Sequence, residues 1–312
     1  MTEREHVRRY FSDSAHTWLA RAYGEDEDPL AYPVGAQRLR LAMNAVRDRL
    51  GEARGRLLDL GCGGGDLCLH AARLGFDATG VDAAEGMIAE AEARRSTLPA
   101  DVRERVSFKV ADILGNGLAT ASADAVTAIG VLEYLEEDAA FFAEAARLLR
   151  VGGALVVSCR NRLFNMVSGN EYTLKEVEAG AVPTLLAELS AFRPDESICP
   201  LLTTVVAKLR EALPDLERAL AKDAAGARGP ADTLRAFGRH RRQHTPSGLA
   251  ASAAAAGFSR PRFFGVHPHV LTPALESLVP RFYNRLTAVL EPLESTPASL
   301  GWSSAFLGVF TR

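Results

Sequence analysis

Acidic side chains lie at the ends of three apolar runs in the first half of the chain, and the first run leads into a dense glycine turn. Asp59 lies in RLLDLGCGGGDL (56–67), Asp82 ends DATGVD (77–82), and Asp112 follows VSFKV (106–110). Glycines between an apolar run and an Ala/Leu-rich stretch are typical of a strand that turns tightly into a helix around a small ligand. The sequence therefore predicts a small-molecule site.

The glycine spacing and the acids indicate which groups this ligand carries. A dinucleotide fingerprint needs GxGxxG, whereas this turn reads GxGxG and continues with Asp66, whose charge would repel a pyrophosphate. The turn suits an amine and a carboxylate, which Asp59 would help to organise. Asp82 suits ribose hydroxyls, and Asp112 suits the exocyclic amine of adenine. Amino acid, ribose and adenine together describe S-adenosylmethionine.

Short apolar runs alternate with longer amphipathic ones, which is the pattern of βαβ units. We predict a Rossmann-like α/β fold: a seven-stranded, mostly parallel sheet with helices on both faces and helical lid insertions. The predicted strands are 56–60, 77–81, 105–110, 124–130, 154–159, 258–266 and 302–310. The predicted helices lie near 65–74, 84–95 and 138–149, the last closed by Gly152-Gly153, and over 246–256, capped by Thr245 and ended by Gly257.

The composition fits a globular protein of 312 residues with a net charge of −3 and 47% hydrophobic residues. This charge argues against a dedicated nucleic-acid binder, and four cysteines without a CxxC pair argue against zinc and disulfide frameworks. No apolar stretch is long enough to span a membrane, and cysteines without a disulfide framework fit a reducing compartment, so we expect a cytoplasmic protein. We divide the chain into an N-terminal helical cap (1–50), a core (51–160 and 244–312) and a helical lid (161–243).

Residues 10–160 resemble the class I S-adenosylmethionine-dependent methyltransferases. The similarity rests on LLDLGCGGG (57–65), GVD (80–82), ADI (111–113), VLEYL (131–135) and LLRVGGALVVS (148–158), in the order and spacing of that family. The segments FSDSAHTW (11–18), RLRL (38–41) and SCRNRLFN (158–165) look like the small-molecule O-methyltransferases of the ubiquinone-biosynthesis type. This resemblance implies a methyltransferase that uses S-adenosylmethionine and acts on a small molecule, more on oxygen than on nitrogen.

The resemblance also implies roles for individual residues. The backbone of the glycine turn would contact the methionine end of the cofactor. Arg40 would bind the methionine carboxylate, and Arg38 is the alternative for this role. Asp82 would bind the ribose, and Met87 would pack on the adenine. The predicted cofactor residues are Arg40, Asp59, Gly61, Cys62, Gly63, Gly65, Asp82, Ala83, Met87, Asp112, Ile113, Gly130 and Val131.

The acceptor side departs from the family pattern. The ubiquinone-type enzymes carry Glu-x-x-Glu-His after the fourth strand, where this chain has GVLEY (130–134). We therefore predict no metal site, and we interpret His267 and His269 as a structural turn. Two basic segments, Arg160-Asn161-Arg162 and the basic cluster RAFGRHRRQH (235–244), suggest a small anionic acceptor, because a neutral one would leave their charges unpaired. The predicted catalytic residues are Tyr134, His240 and His244, and the predicted substrate residues are Tyr134, Arg160, Arg162, Tyr172, Arg241 and Arg242.

Three alternatives remain open on the sequence. One is a NAD(P)-dependent oxidoreductase on a Rossmann sheet, which the GxGxG turn disfavours. Another is a protein that binds S-adenosylmethionine without transferring its methyl group, consistent with the changed residues at Gly130 and Tyr134. The third is an O-methyltransferase of the magnesium-protoporphyrin type, because VRRYF (7–11) and the Trp18–Gly24 spacing look similar.

Overall fold

A seven-stranded sheet forms the centre of the molecule. The computed structural model describes residues 3–23, 30–51, 54–226 and 241–312. The strand order is β3-β2-β1-β4-β5-β7-β6; the first five are mutually parallel, and β7 runs antiparallel to both β5 and β6. The predicted fold class is confirmed. The strands are β1 (Arg56–Leu60), β2 (Asp77–Asp82), β3 (Val106–Val110), β4 (Ala123–Ile129), β5 (Leu149–Arg160), β6 (Ser259–Pro268) and β7 (Ser303–Thr311).

Helices cover both faces of the sheet, because its central strands are apolar on both sides. One face packs on Leu41, Val46 and Cys68, and the other packs on Phe141 and Leu249. The helices are α1 (Glu3–Tyr23), α2 (Val34–Leu50), α3 (Asp66–Arg73), α4 (Glu85–Ser96), α5 (Ala100–Arg103), α6 (Ala139–Leu148), α7 (Asn165–Ser168), α8 (Glu171–Glu178), α9 (Val182–Leu189), α10 (Ile198–Ala224), α11 (Pro246–Ala255), α12 (Pro280–Val289) and α13 (Ser299–Trp302).

The predicted end of α6 at Gly152-Gly153 is wrong. The helix ends at Leu148, and β5 begins at the next residue, so both glycines lie inside the strand. Gly152 has a φ of +83°, and a Cβ on Gly153 would lie 3.0 Å from the carbonyl oxygen of Asp124. The pairing of β4 with β5 shifts register between Ala123 and Ala125. The glycines therefore serve a strand irregularity and not a helix terminus.

The insertion after β5 is fastened to the core at both described ends. At its root, the Asn161 side-chain amide donates to two carbonyl oxygens next to β7, and the His244 backbone pairs with Arg160 and Arg162. At the far end of α10, buried Asp223 pairs with Arg281 and accepts a hydrogen bond from the first turn of α12. The insertion after β5 therefore packs against a second, shorter insertion (267–301), which lies between β6 and β7 and contains α12. Within the described chain, no helix has the length and apolar character needed to cross a membrane.

Candidate cofactor and acceptor site

The turn from β1 to α3 requires glycine at two positions where a positive φ coincides with close packing. Gly61 has a φ of +76°, and a Cβ there would lie 2.5 Å from Cγ2 of Val131. Gly65 has a φ of +78°, and a Cβ there would lie 2.5 Å from the ring of Phe108. Any side chain would combine backbone strain with a steric clash. The turn is thereby held against β3 and the loop after β4.

Asp82 joins the end of β2 to this turn. One carboxylate oxygen accepts from the Gly63 amide at 2.9 Å, and the other accepts from the Ala84 amide at 2.8 Å. Burial raises the pKa of Asp82, while these backbone hydrogen bonds, including one from Ala83, oppose that rise. The carboxylate is therefore fixed in position beside the glycine turn.

Asp59 is the buried acid of the site, at 3% exposure. Thr127 on β4 donates to its carboxylate at 2.6 Å. Burial raises the pKa of Asp59 to about 7, against the effect of the Thr127 hydrogen bond. Asp59 also lines a narrow cavity, together with Gly61 and Gly63 on the turn. Near neutral pH this carboxyl group is thus divided between its two protonation states.

The charge of Asp66 is compensated, which the sequence did not indicate. Arg94 on α4 donates to both of its carboxylate oxygens, at 2.5 and 2.9 Å, and to the carbonyl oxygen of Gly64. The expected repulsion of a pyrophosphate by Asp66 is therefore weakened. The missing third glycine, and not this charge, remains the argument against a dinucleotide.

The predicted adenine residues lie beyond β2 and β3. Met87 is 2% exposed and packs against Ala15 and Leu19 of α1. Ile113 is buried, whereas the Asp112 side chain is half exposed, accepts from the Leu114 amide and lies 3.7 Å from Arg4. Asp112 therefore keeps an accessible carboxylate.

Helix α1 lies across the cofactor side of the sheet. A Cβ on Gly64 would lie 2.5 Å from the Leu19 side chain, and Ser12 accepts a hydrogen bond from the amide of Gly86 on α4. Trp18 of the same helix lines the narrow cavity that Asp59 also lines. The N-terminal helix therefore closes directly over the glycine turn.

The two candidate arginines of α2 point to different surroundings. Arg40 is exposed and donates to both carboxylate oxygens of Glu294, each at 2.8 Å. A Cβ on Gly130 would lie 3.2 Å from Nη1 of Arg38, and Nε of Arg38 is buried without a hydrogen-bond partner in the described chain. Arg38 is thus next to the loop after β4, and Arg40 is held by the second insertion.

Tyr134 lies in a 3₁₀ turn (Leu132–Tyr134) after β4, where the ring of Phe11 meets it edge-on at 5.3 Å between centroids. Burial, followed by the Glu133 carboxylate, raises the pKa of Tyr134 to about 12, so its hydroxyl is protonated at neutral pH. Arg241 approaches the hydroxyl oxygen at 3.5 Å and the Glu133 carboxylate at 3.7 Å. Glu133, 7% exposed, is a site residue that the sequence analysis did not select.

The other predicted basic residues divide into paired and unpaired groups. Arg162 donates to both oxygens of buried Glu176, and Arg242 binds Asp138 at 2.9 Å. The Arg160 guanidinium lies 5.5 Å from the centroid of the Tyr172 ring, and no described carboxylate lies within ion-pair distance of it. Arg160 is therefore the predicted acceptor cation whose charge is not already neutralised.

His244 is 6% exposed, and its Nε2 lies 3.1 Å from the Asp138 carboxylate. Hydrogen bonds from His244 and Arg242 hold the pKa of Asp138 below its usual range, although burial opposes this. His240 lies outside the described residues. The described part of the basic cluster is thus tied to the core at Asp138.

Comparison with known proteins agrees with this geometry. Residues 58–157 match the family model described as a methyltransferase domain. The ubiquinone biosynthesis O-methyltransferase of Xanthomonas oryzae pv. oryzae is 38% identical over 133 residues, which cover 41% of this chain and 54% of that protein. Its counterpart from Caulobacter sp. strain K31 is 35% identical over 132 residues, covering 40% and 50%. The chain thus spans about half the length of these curated relatives.

Solved structures show the same fold at low sequence identity. Magnesium protoporphyrin IX methyltransferase from Synechocystis PCC 6803, crystallised with SAH, superposes with a TM-score of 0.56 at 16% identity over the whole of both chains. The cyclase SpnF superposes with a TM-score of 0.55 at 18% identity, covering 98% of this chain and 94% of its own. A cyclase among these structures means that the fold alone does not decide the reaction. The domain match carries that step: the chain contains a methyltransferase domain, and the predicted resemblance to S-adenosylmethionine-dependent methyltransferases is confirmed for it.

Proposed function

We propose that this protein binds S-adenosylmethionine and transfers its methyl group to a small-molecule acceptor, on oxygen in preference to nitrogen. The observation that carries the proposal is the Asp82 carboxylate, fixed by the amides of Gly63 and Ala84 beside a turn that only glycine can form. Within a methyltransferase domain, this arrangement suits the ribose and methionine ends of the cofactor. The ubiquinone O-methyltransferase names of the relatives support oxygen as the methylated atom.

Methyl transfer from a sulfonium needs positioning above all, and a base only where the acceptor must lose a proton. In our proposal, neutral Tyr134 donates a hydrogen bond to the acceptor, and Arg241 holds the Tyr134 hydroxyl and Glu133 in place. His244 remains a candidate proton acceptor through Nδ1, because its Nε2 is bound to Asp138. Helix α1 excludes water from the turn through Leu19.

A turnover assay tests the proposal directly. The purified protein is incubated with S-adenosylmethionine and a panel of hydroxylated and aminated acceptors, and the demethylated cofactor and methylated product are measured by mass spectrometry. We expect transfer to a hydroxylated acceptor. Tight cofactor binding without turnover on any acceptor supports the alternative of a protein that binds S-adenosylmethionine without transferring its methyl group. The altered residues of GVLEY (130–134) favour that alternative.

Arg160 provides a test of the acceptor charge. We propose an anionic acceptor, and since Arg160 has no carboxylate partner in the described chain, its replacement by Ala removes an unneutralised cation. We expect Arg160→Ala to raise KM for an anionic acceptor about 10-fold with little change in kcat, which is typical of a lost charge-assisted contact. Steady-state kinetics measure this effect. Arg150→Ala, at the opposite end of the same strand and paired with Asp124, is the matched control. Equal KM values for Arg160→Ala and the unchanged protein contradict an acceptor anion at this position.

We also propose that residues 161–243 form a lid over the acceptor. The proposal keeps the division of the chain into cap, core and lid that the sequence predicts. The lid is rooted at Asn161 and docked through Asp223, which leaves α8 and α9 between two anchored ends. We expect backbone amide exchange in 171–189 to slow when cofactor product and acceptor bind together. Hydrogen exchange with mass spectrometry measures this, and protection unchanged in 171–189 argues against a lid.

A further inference from the structure

Two histidines and a glutamate meet at the end of β6, a feature that the proposed methyl transfer does not use. The rings of His267 and His269 lie 4.2 Å apart, and Tyr32 stacks on His267 while Phe164 stacks on His269. One ligand atom from each of His267, His269 and Glu276 lies within 4.8 Å of the others. His269 is 9% exposed.

Tyr283 fixes the tautomer of His269. The Tyr283 hydroxyl donates to the carbonyl oxygen of Leu271 at 2.7 Å, so its proton is already used. The 2.7 Å contact between this hydroxyl and Nδ1 of His269 is therefore a hydrogen bond donated by the imidazole. The proton sits on Nδ1, which leaves Nε2 as a bare lone pair. Nε2 is buried and has no hydrogen-bond partner within the described ranges.

His267 presents a second nitrogen of the same kind. Its Nδ1 lies 3.1 Å from the hydroxyl of Ser304, while its Nε2 is buried and also lacks a partner among the described residues. Burial lowers the pKa of His269 to about 4 and, with the neighbouring His269 and Arg38, lowers the pKa of His267 well below its ordinary value. The geometry itself suits metal binding, because each ring has a buried Nε2 without a described partner while its Nδ1 contacts a hydroxyl group.

We propose that His267, His269 and Glu276 bind a divalent transition-metal ion, with Zn²⁺ the best fit to their chemistry. Two imidazole nitrogens and one carboxylate oxygen form a common zinc ligand set that leaves a fourth position open. Ser304 and Tyr283 would orient the two rings, as outer-shell partners do in metal sites. Glu276 lies in a short 3₁₀ turn (Pro273–Ser277) and is only partly buried, so its side chain can adjust to the ion.

The position of this metal site relates it to the acceptor. Val266, next to His267, pairs with Ala305 of β7, and Ala305 pairs in turn with Arg160 of β5. The site therefore lies at the same edge of the sheet as Arg160, where an open metal position could bind an acceptor oxygen. The positive charge of Arg38 acts on His267 and opposes a second positive charge there, and the Glu276 carboxylate would offset this effect. Metal binding itself does not depend on the proposed methyl transfer.

Metal titration tests the proposal without any turnover. We expect the purified chain, stripped with chelator, to bind one Zn²⁺ by titration calorimetry, and Co²⁺ to give the visible absorption bands of a low-symmetry site. Glu276→Gln and His269→Ala should abolish this binding, whereas His70→Ala, on α3, should leave it unchanged. Tyr283→Phe removes the acceptor for Nδ1–H of His269 and should weaken Zn²⁺ binding about 10- to 100-fold.

The variants also show what would overturn the site. Glu276→Gln keeps the shape of a partly exposed side chain, so we expect this variant to fold normally. An unchanged melting temperature of the variant in the presence of chelator checks this. The proposal is overturned if the unchanged protein does not bind Zn²⁺. It is also overturned if Glu276→Gln and His269→Ala bind Zn²⁺ as well as the unchanged protein does. Loss of methyl transfer with Zn²⁺ binding intact bears on the proposed function and not on the metal site.

Discussion

Replacing Asp82 with Ala should weaken the binding of S-adenosylmethionine about 5- to 150-fold, which corresponds to a loss of about 1–3 kcal/mol. Two effects add in this variant. The carboxylate proposed to accept from the ribose hydroxyls is lost, and the amides of Gly63 and Ala84 lose their acceptor, which loosens the turn. Titration calorimetry with S-adenosylmethionine and with its demethylated product measures the change.

Asp77→Ala is the control for this experiment, since Asp77 lies at the other end of the same strand, is exposed and pairs only loosely with Arg105 at 3.3 Å. We expect cofactor affinity in Asp77→Ala to match that of the unchanged protein. Asp82→Asn keeps one acceptor oxygen and should fall between the two. Unchanged affinity in Asp82→Ala would sink the assignment of this carboxylate to the ribose.

The strands of the sheet were predictable from the sequence because their positions rest on local patterns. The strands β1, β2 and β4 are short apolar runs that each precede a helix (α3, α4 and α6), and strand bounds such as 56–60 agree with the structure to the residue. The end of α6 was not predictable, because Gly152-Gly153 suits a helix terminus and a strand irregularity equally. That choice is made by the neighbouring strand β4, which pairs with β5 from Ala123 onward.

The residues of the candidate site were predictable where their place at the end of a strand brings them to the site. They were not predictable where their charge depends on a partner that is distant in the sequence. The acids at the ends of β1 and β2 follow from strand ends. The neutralisation of Asp66 by Arg94, of Arg162 by Glu176 and of Arg242 by Asp138 joins residues that only the folded chain brings together. Charge runs such as 239–244 therefore overstate how many cations a pocket offers to a ligand.

Asp59→Asn should stabilise the protein at pH 8 and leave its stability unchanged at pH 4. The pKa of Asp59 is about 7 in the folded chain, above the ordinary value of 3.8 that applies when it is unfolded. Between these values the folded state binds more protons than the unfolded state, so the free energy of unfolding falls as pH rises from about 4 to 7. Asn removes this loss and still accepts from Thr127. Since one pKa unit is about 1.36 kcal/mol, the gain at pH 8 is about 2–4 kcal/mol.

Urea unfolding at both pH values measures this difference, with exposed Asp77→Asn as the control. A variant no more stable than the unchanged protein at pH 8, or a gain that persists at pH 4, contradicts a buried Asp59 with a raised pKa.

The same carboxyl group links pH to the proposed cofactor. Asp59 lines the cavity at the glycine turn, where the cofactor ammonium would favour its ionised form. We therefore expect S-adenosylmethionine affinity to rise as pH increases through about 7, and Asp59→Asn to remove that rise. Calorimetric titrations with S-adenosylmethionine between pH 6 and 8 measure this pH dependence. If the affinity of the unchanged protein does not change with pH, the cofactor ammonium does not lie beside Asp59.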